Sequence, residues 1–188
     1  MTAKAMRIKA KGLLSLAVVL GGAGLLMTLL RPASASHLSQ GTWAHAVNAC
    51  AIDEANVGQY QVGVSFLSHE ATATGPLIAR CNVENLPIDP GDVLGLELVY
   101  RDQDGPGTAY SVSARLLATT NSGSVVQIAV VNSNTGPVST SFQRSQIATF
   151  SHDLNFANNA YYVEIIVSRN NTAQAPAAAI VRIVGLIL

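Results

Sequence analysis

VLGLELVY, residues 93–100, sets Leu94, Leu96, Leu98 and Tyr100 on one side of an extended chain and Val93, Gly95, Glu97 and Val99 on the other. Successive side chains of a strand point to opposite faces, so the first set makes an unbroken apolar stripe and the second a mixed one. A helix would scatter the same leucines around its circumference. The pattern returns in YYVEIIVSR, residues 161–169, where Tyr161, Val163, Ile165 and Val167 oppose Tyr162, Glu164, Ile166 and Ser168. Two strands with one clean face each need a second layer to cover it.

Outward from these two, β-branched and apolar runs recur at 44–49, 61–67, 77–83, 109–118, 124–131, 146–150 and 178–187. Between them stand TGP at 74–76, PIDPGD at 87–92, DGPG at 104–107, NSGS at 121–124 and NSNTGP at 132–137. These are residues that reverse a chain for conformational reasons of their own. Eight or nine strands without a long helical pattern predict an all-β chain folded as a two-sheet antiparallel β-sandwich, jelly-roll or immunoglobulin-like. The final run, AAAIVRIVGLIL at 177–188, carries Arg182 at its centre and is too short to span a bilayer. It reads as the closing strand.

The N-terminus reads differently. Lys4, Arg7, Lys9 and Lys11 precede an apolar run over 13–30, and Ala33-Ser34-Ala35 follows it. That is the order of a secretory signal peptide, with cleavage expected after Ala35. Residues 36–188 then form one exported domain, secreted, periplasmic or held at the cell surface. An uncleaved anchor is the competing reading, against which stand Gly21, Gly22 and Gly24 inside the run. With no cysteine beside the cleavage point, lipid attachment is not expected.

Five of the eleven basic residues lie before residue 36, which leaves six arginines against eleven acidic residues and a net charge of −5. The arginines at 80, 101, 115, 144, 169 and 182 are dispersed. A polyanion binder clusters its cations to neutralise phosphates, so nucleic acid is not an expected partner. Cys50 and Cys81 both fall in the exported part, where a disulfide persists; closing a loop of about 30 residues contributes roughly 3–4 kcal/mol. Without a C-x-x-C or a histidine pair, they do not make a zinc site.

The acidic turn RDQDGPG at 101–107 invites comparison with a calcium loop. Counted from Asp102, position six is Gly107, but position twelve is Ser113 and position five is Pro106, so the helix–loop–helix pattern is excluded. Asp102 and Asp104 remain the candidate metal residues, for calcium, and no other cofactor is expected. Asp89 and Asp92 stand about nine strand residues away, near 30 Å, too far to share the ion. The loop SHDLNFANN at 151–159, with Asp153, Asn155 and Asn158, is the candidate partner.

No catalytic residues are assigned. Ser68-His69-Glu70 and Ser151-His152-Asp153 bring nucleophile, base and acid types together, but neighbours on an extended chain diverge where a triad converges. The histidines at 37, 45, 69 and 152 are too isolated for a metal-dependent barrel site. Glu97 and Glu164 are the two carboxylates to test as a glycosidase pair, and both are expected to face solvent on an edge or outer face. Trp43 and the tyrosines at 60, 100, 110, 161 and 162 are the aromatics that a sugar site could draw on, with core or rim packing as the plainer role.

VNACAID at 47–53, with the later Cys81, resembles the cysteine pair of chaperone-assembled fimbrial subunits. That resemblance implies an incomplete immunoglobulin-like sandwich completed by a neighbour's strand, and hence a self-assembling surface subunit. The C-terminal strand departs from that family's tyrosine-bearing ending. The expectation is therefore a non-catalytic exported β-sandwich that binds a glycan or protein, or builds a structure, at or beyond the cell surface. A self-assembling subunit and a glycan hydrolase are the alternatives.

Overall fold

The computed structural model describes residues 43–84 and 91–186. The expected signal peptide, Asp89 and most of the PIDPGD turn lie outside the described residues. Twelve strands follow one another: β1 (Trp43–Ala46), β2 (Ala51–Ile52), β3 (Tyr60–Val62), β4 (Leu67–His69), β5 (Gly75–Val83), β6 (Val93–Asp102), β7 (Tyr110–Thr120), β8 (Val125–Asn132), β9 (Ser139–Arg144), β10 (Ala148–Ser151), β11 (Asn159–Arg169) and β12 (Ala177–Leu186).

They form two antiparallel sheets. The first runs β10–β6–β12–β4–β3, with β1 beside β12 and β9 continuing the edge against β6. The second runs β2–β5–β11–β7–β8. The fold is thus the expected all-β two-sheet sandwich. Among the described residues, no helix is long and apolar enough to cross a membrane.

Alternation explains the layering. Leu94, Leu96 and Leu98 of β6 are fully buried, as are Val163, Ile165 and Val167 of β11, and the two stripes face each other across the interior. Leu96 pairs with Ile183 and Leu98 with Val181 of β12, while Ile165 lies between Ala79 of β5 and Ala114 of β7. Each such side chain, taken from water, contributes roughly 1.5–3 kcal/mol. Cys50 and Cys81 are joined as a disulfide, which ties the segment after β1 to β5.

The strand count exceeds the eight or nine expected because short strands give weak periodicity. The run at 61–67 is a hairpin of β3 and β4, turned at Gly63, whose N–H donates to the Phe66 carbonyl at 2.8 Å. Half of the run at 44–49 is a 3-10 turn over Val47–Ala49. In STSFQR, β9 carries no alternation of apolar residues, and only its ladder with β6 makes it a strand.

Candidate ligand-binding site

The outer face of the first sheet is where the chain gathers its unusual side chains. Along β6 the outward positions are Glu97, Val99 and Arg101. The edge strand β9 adds Phe142 and Arg144, and the β3–β4 turn adds Phe66. The Phe66 and Phe142 rings are tilted with centroids 5.8 Å apart. The Arg101 guanidinium carbon lies 5.9 Å from the first centroid and 5.4 Å from the second, within cation–π range of both. Phe142 keeps 39% of its surface exposed, a large fraction for a phenylalanine held in a fixed strand position.

Beside this trio opens a cavity of about 360 Å³, bounded by Phe66, Ser68, His69, Arg101, Arg169 and the chain at 172–175. Its wall is pinned by hydrogen bonds. Arg101 Nε and Nη2 donate to the Ala175 carbonyl at 3.2 and 2.9 Å, and Gln103 Nε2 donates to the same oxygen at 3.1 Å. Arg169, 2% exposed, donates to the carbonyls of Glu70, Ala71, Ala73 and Gln174 and so ties the β4–β5 turn to the wall. His69 Nε2 donates to the Gly75 carbonyl at 2.8 Å, while its Nδ1 is buried without a partner. Burial, opposed by the Gly75 bond and reinforced by the Arg169 charge, lowers the His69 pKa from its ordinary value.

The carboxylates considered for hydrolysis lie elsewhere and apart. Glu97 and Glu164 sit on the outer faces of different sheets, as expected, but they do not face solvent: they are 5% and 6% exposed. Arginines bury them. Glu164 lies in ladder register with Arg80 on one side and Arg115 on the other, and it pairs with both. Glu97 faces Arg182 and Arg144 at 3.3 and 3.5 Å. The core separates the two, and packed sheets are about 10 Å apart before side chains are added.

Asp102 and Asp104 come together in the turn after β6. Asp102 is fully buried; its Oδ2 accepts from the Ser133 hydroxyl and its Oδ1 from the Asp104 N–H. Asp104 Oδ2 accepts from the N–H groups of Ala109 and Tyr110. Asp104 Oδ1 is buried and accepts from no N–H or hydroxyl. Burial raises the Asp102 pKa; the Ser133 bond opposes this, and a hydrogen bond shared with the Asp104 carboxyl adds to it.

The loop at 151–159 does not reach them. Asp153 accepts from the Gly91 N–H at 3.0 Å, which places the loop at the opposite end of β6, about 30 Å away at strand rise. Asn155 closes on its own loop and on Tyr161 instead. His152 contacts the Tyr161 hydroxyl at 3.3 Å, and neither Ser68 nor Ser151 bonds to its neighbouring histidine. His45, Cys50 and Cys81 lie close enough to group as metal ligands, but both sulfurs are consumed by the disulfide.

Of the aromatics singled out in the sequence, Trp43, Tyr100, Tyr110 and Tyr161 are buried, and Tyr60 and Tyr162 are half-buried. Among the described aromatics Phe142 is the exposed one, with the half-buried Phe66 beside it. Phe66 and Phe142 stand 76 positions apart in the sequence and meet only because β9 folds back along β6.

No protein-family model and no curated protein matches the chain. Among solved structures, a xylan-binding module, CBM15, is similar with a TM-score of 0.40 and 13% identity over 77% of this chain and 90% of that one. The Clostridium thermocellum endo-1,4-beta-D-xylanase 10B, its CBM22-1 and GH10 modules complexed with xylohexaose, is similar with a TM-score of 0.36 and 12% identity. That likeness covers 76% of this chain and 24% of the xylanase. At such values the ligand has to be argued from the residues of this chain.

Proposed function

We propose that the chain is an exported, non-catalytic binding domain whose ligand is a glycan, engaged on the outer face of the first sheet at Phe66, Arg101 and Phe142. The observation that carries this reading is the guanidinium set against two phenylalanine rings, one of them exposed, where the guanidinium and the Phe66 ring also line the cavity. Aromatic faces stack on the C–H face of a sugar ring, and guanidinium donors bond its hydroxyls. Together they match a ligand that is apolar on its faces and polar around its rim. The carboxylates that could serve an acid–base mechanism are engaged instead: Glu97 and Glu164 between arginines, Asp102 and Asp104 within their own turn.

Retardation of the protein in native gels cast with soluble polysaccharides tests the reading. At least one polysaccharide should retard the protein, and Phe142→Ala should weaken the effect about tenfold while leaving the unfolding midpoint in place. Retardation by none, or retardation indifferent to Phe142→Ala, would remove the proposal. The export half is tested separately. N-terminal sequencing of the secreted product should begin at Ser36, and a product that begins at Met1 would show an uncleaved anchor.

The alternative of self-assembly by strand donation places the donor in residues 36–43. Of these only Trp43 is described, and it pairs with Ile183 of its own chain in β1–β12. Donation would have to break that ladder.

A further inference from the structure

Four of the six arginines have carboxylate partners: Arg80 with Asp53 and Glu164, Arg115 with Glu164, and Arg144 and Arg182 with Glu97. The other two, Arg101 and Arg169, have none among the described residues. Both line the same cavity. In a domain carrying an excess of acidic residues, two unpaired cations at one site are a departure from the rest of the molecule.

Each is held there at a cost. Arg169 is 2% exposed, and the carbonyl dipoles of Glu70, Ala71, Ala73 and Gln174 satisfy its donors without cancelling its charge. Burying a cation is expensive unless a counter-charge comes with it. Glu70 contributes its carbonyl to Arg169 and no ion pair. Arg101 commits Nε and one Nη2 proton to Ala175, which leaves the outer edge of the guanidinium, Nη1 with the second Nη2 proton, uncommitted. That edge presents two parallel N–H groups, the geometry that receives a planar carboxylate in bidentate fashion.

We propose that this cavity receives the carboxylate of an acidic sugar, so that the ligand is a glycan containing uronic acid residues. The proposal rests on the glycan-binding reading and narrows it. The Arg101 edge binds the carboxylate. Phe142 and Phe66 take the face of the sugar, and Arg169 supplies positive potential from beneath without touching the ligand. A neutral sugar would use the rings but leave the two charges uncompensated.

Calorimetric titration of the protein with a galacturonic acid hexamer and with its fully methyl-esterified form tests this, because the ester keeps the sugar and removes the charge. The acid should bind about tenfold more tightly than the ester, the size of one charge-assisted contact. Raising salt from about 50 mM to about 500 mM should weaken the acid and spare the ester. Arg101→Gln should weaken the acid about tenfold more than the ester, so that the difference between them closes, and a cooperative urea unfolding transition reports that the variant is folded. If that variant fails to fold, the acid–ester difference and its salt response in the unaltered protein decide the matter.

Equal affinity for acid and ester, or binding of neutral polysaccharides with no binding of the acid, overturns the acidic-sugar proposal while glycan binding stands. If neither hexamer binds and no polysaccharide retards the protein, the glycan-binding reading fails first.

Discussion

Glu97 and Glu164 are held alike on opposite outer faces of the sandwich, each buried in mid-strand between two arginines of neighbouring strands. An ion-pair ladder of this kind stitches strands laterally where the outer face has no second sheet to press against. Its worth lies between two limits. The Glu164 side chain is 8% exposed, but Arg80 and Arg115 are 41% and 39% exposed, so solvent screens the arginine side. Glu164→Ala should cost about 1–3 kcal/mol, above a surface pair and below a fully buried one. Urea denaturation measures it, and a loss under about 0.5 kcal/mol would mean that screening cancels the ladder.

Asp102 should make stability depend on pH in the opposite sense from a salt-bridged carboxylate. Its folded pKa is raised, chiefly by burial, so the fold binds its proton more tightly than the unfolded chain does. The stabilisation is full below about 3.9, the ordinary aspartate value, and is lost as pH rises through the raised folded value. Asp102→Asn carries no titrating proton, and its amide can donate to Asp104 Oδ1. The variant should therefore gain on the unaltered protein as pH rises over that window. Parallel curves of unfolding free energy against pH would show that Asp102 does not titrate there.

The sandwich was legible in the sequence and the candidate site was not. Period-two alternation in VLGLELVY and YYVEIIVSR identifies a buried face without any knowledge of its partner, and the turn clusters divide the chain into strands. The site depends on facts of a different kind. Phe66 lies in a tight turn between two three-residue strands, and Phe142 lies in a polar strand that only its ladder defines. Nothing in the sequence brings them to Arg101. Which arginines find a carboxylate and which do not is likewise a matter of register: Arg115 and Arg80 stand opposite Glu164, whereas Arg101 stands opposite Ala177.

Calcium is expected to leave the unfolding midpoint where it is. Three of the four carboxylate oxygens of Asp102 and Asp104 already accept protein hydrogen bonds, and the candidate partner loop lies at the other end of β6. A ligand present at 100 times its dissociation constant would add about 2.7 kcal/mol, or several degrees for a domain of this size. Thermal unfolding in chelator and in millimolar calcium distinguishes the cases. A rise that vanishes in Asp104→Asn would assign Asp104 Oδ1 to a bound ion.

His69 sets the acid limit of the cavity wall. It is 3% exposed, with Nε2–H bonded to the Gly75 carbonyl and Nδ1 without a partner. Burial lowers its folded pKa; the Gly75 bond works against that, and the Arg169 charge works with it. The neutral ring is thus the native one, whereas the unfolded ring protonates near about 6.5. The resulting stability is present above that value and is lost as pH falls through the lowered folded pKa. His69→Gln can still donate to Gly75 but does not titrate, so its urea midpoint should fall less between about pH 7 and about pH 5 than that of the unaltered protein. Equal falls would mean that the ring already protonates in the fold, with its proton on Nδ1 and its charge borne beside Arg169.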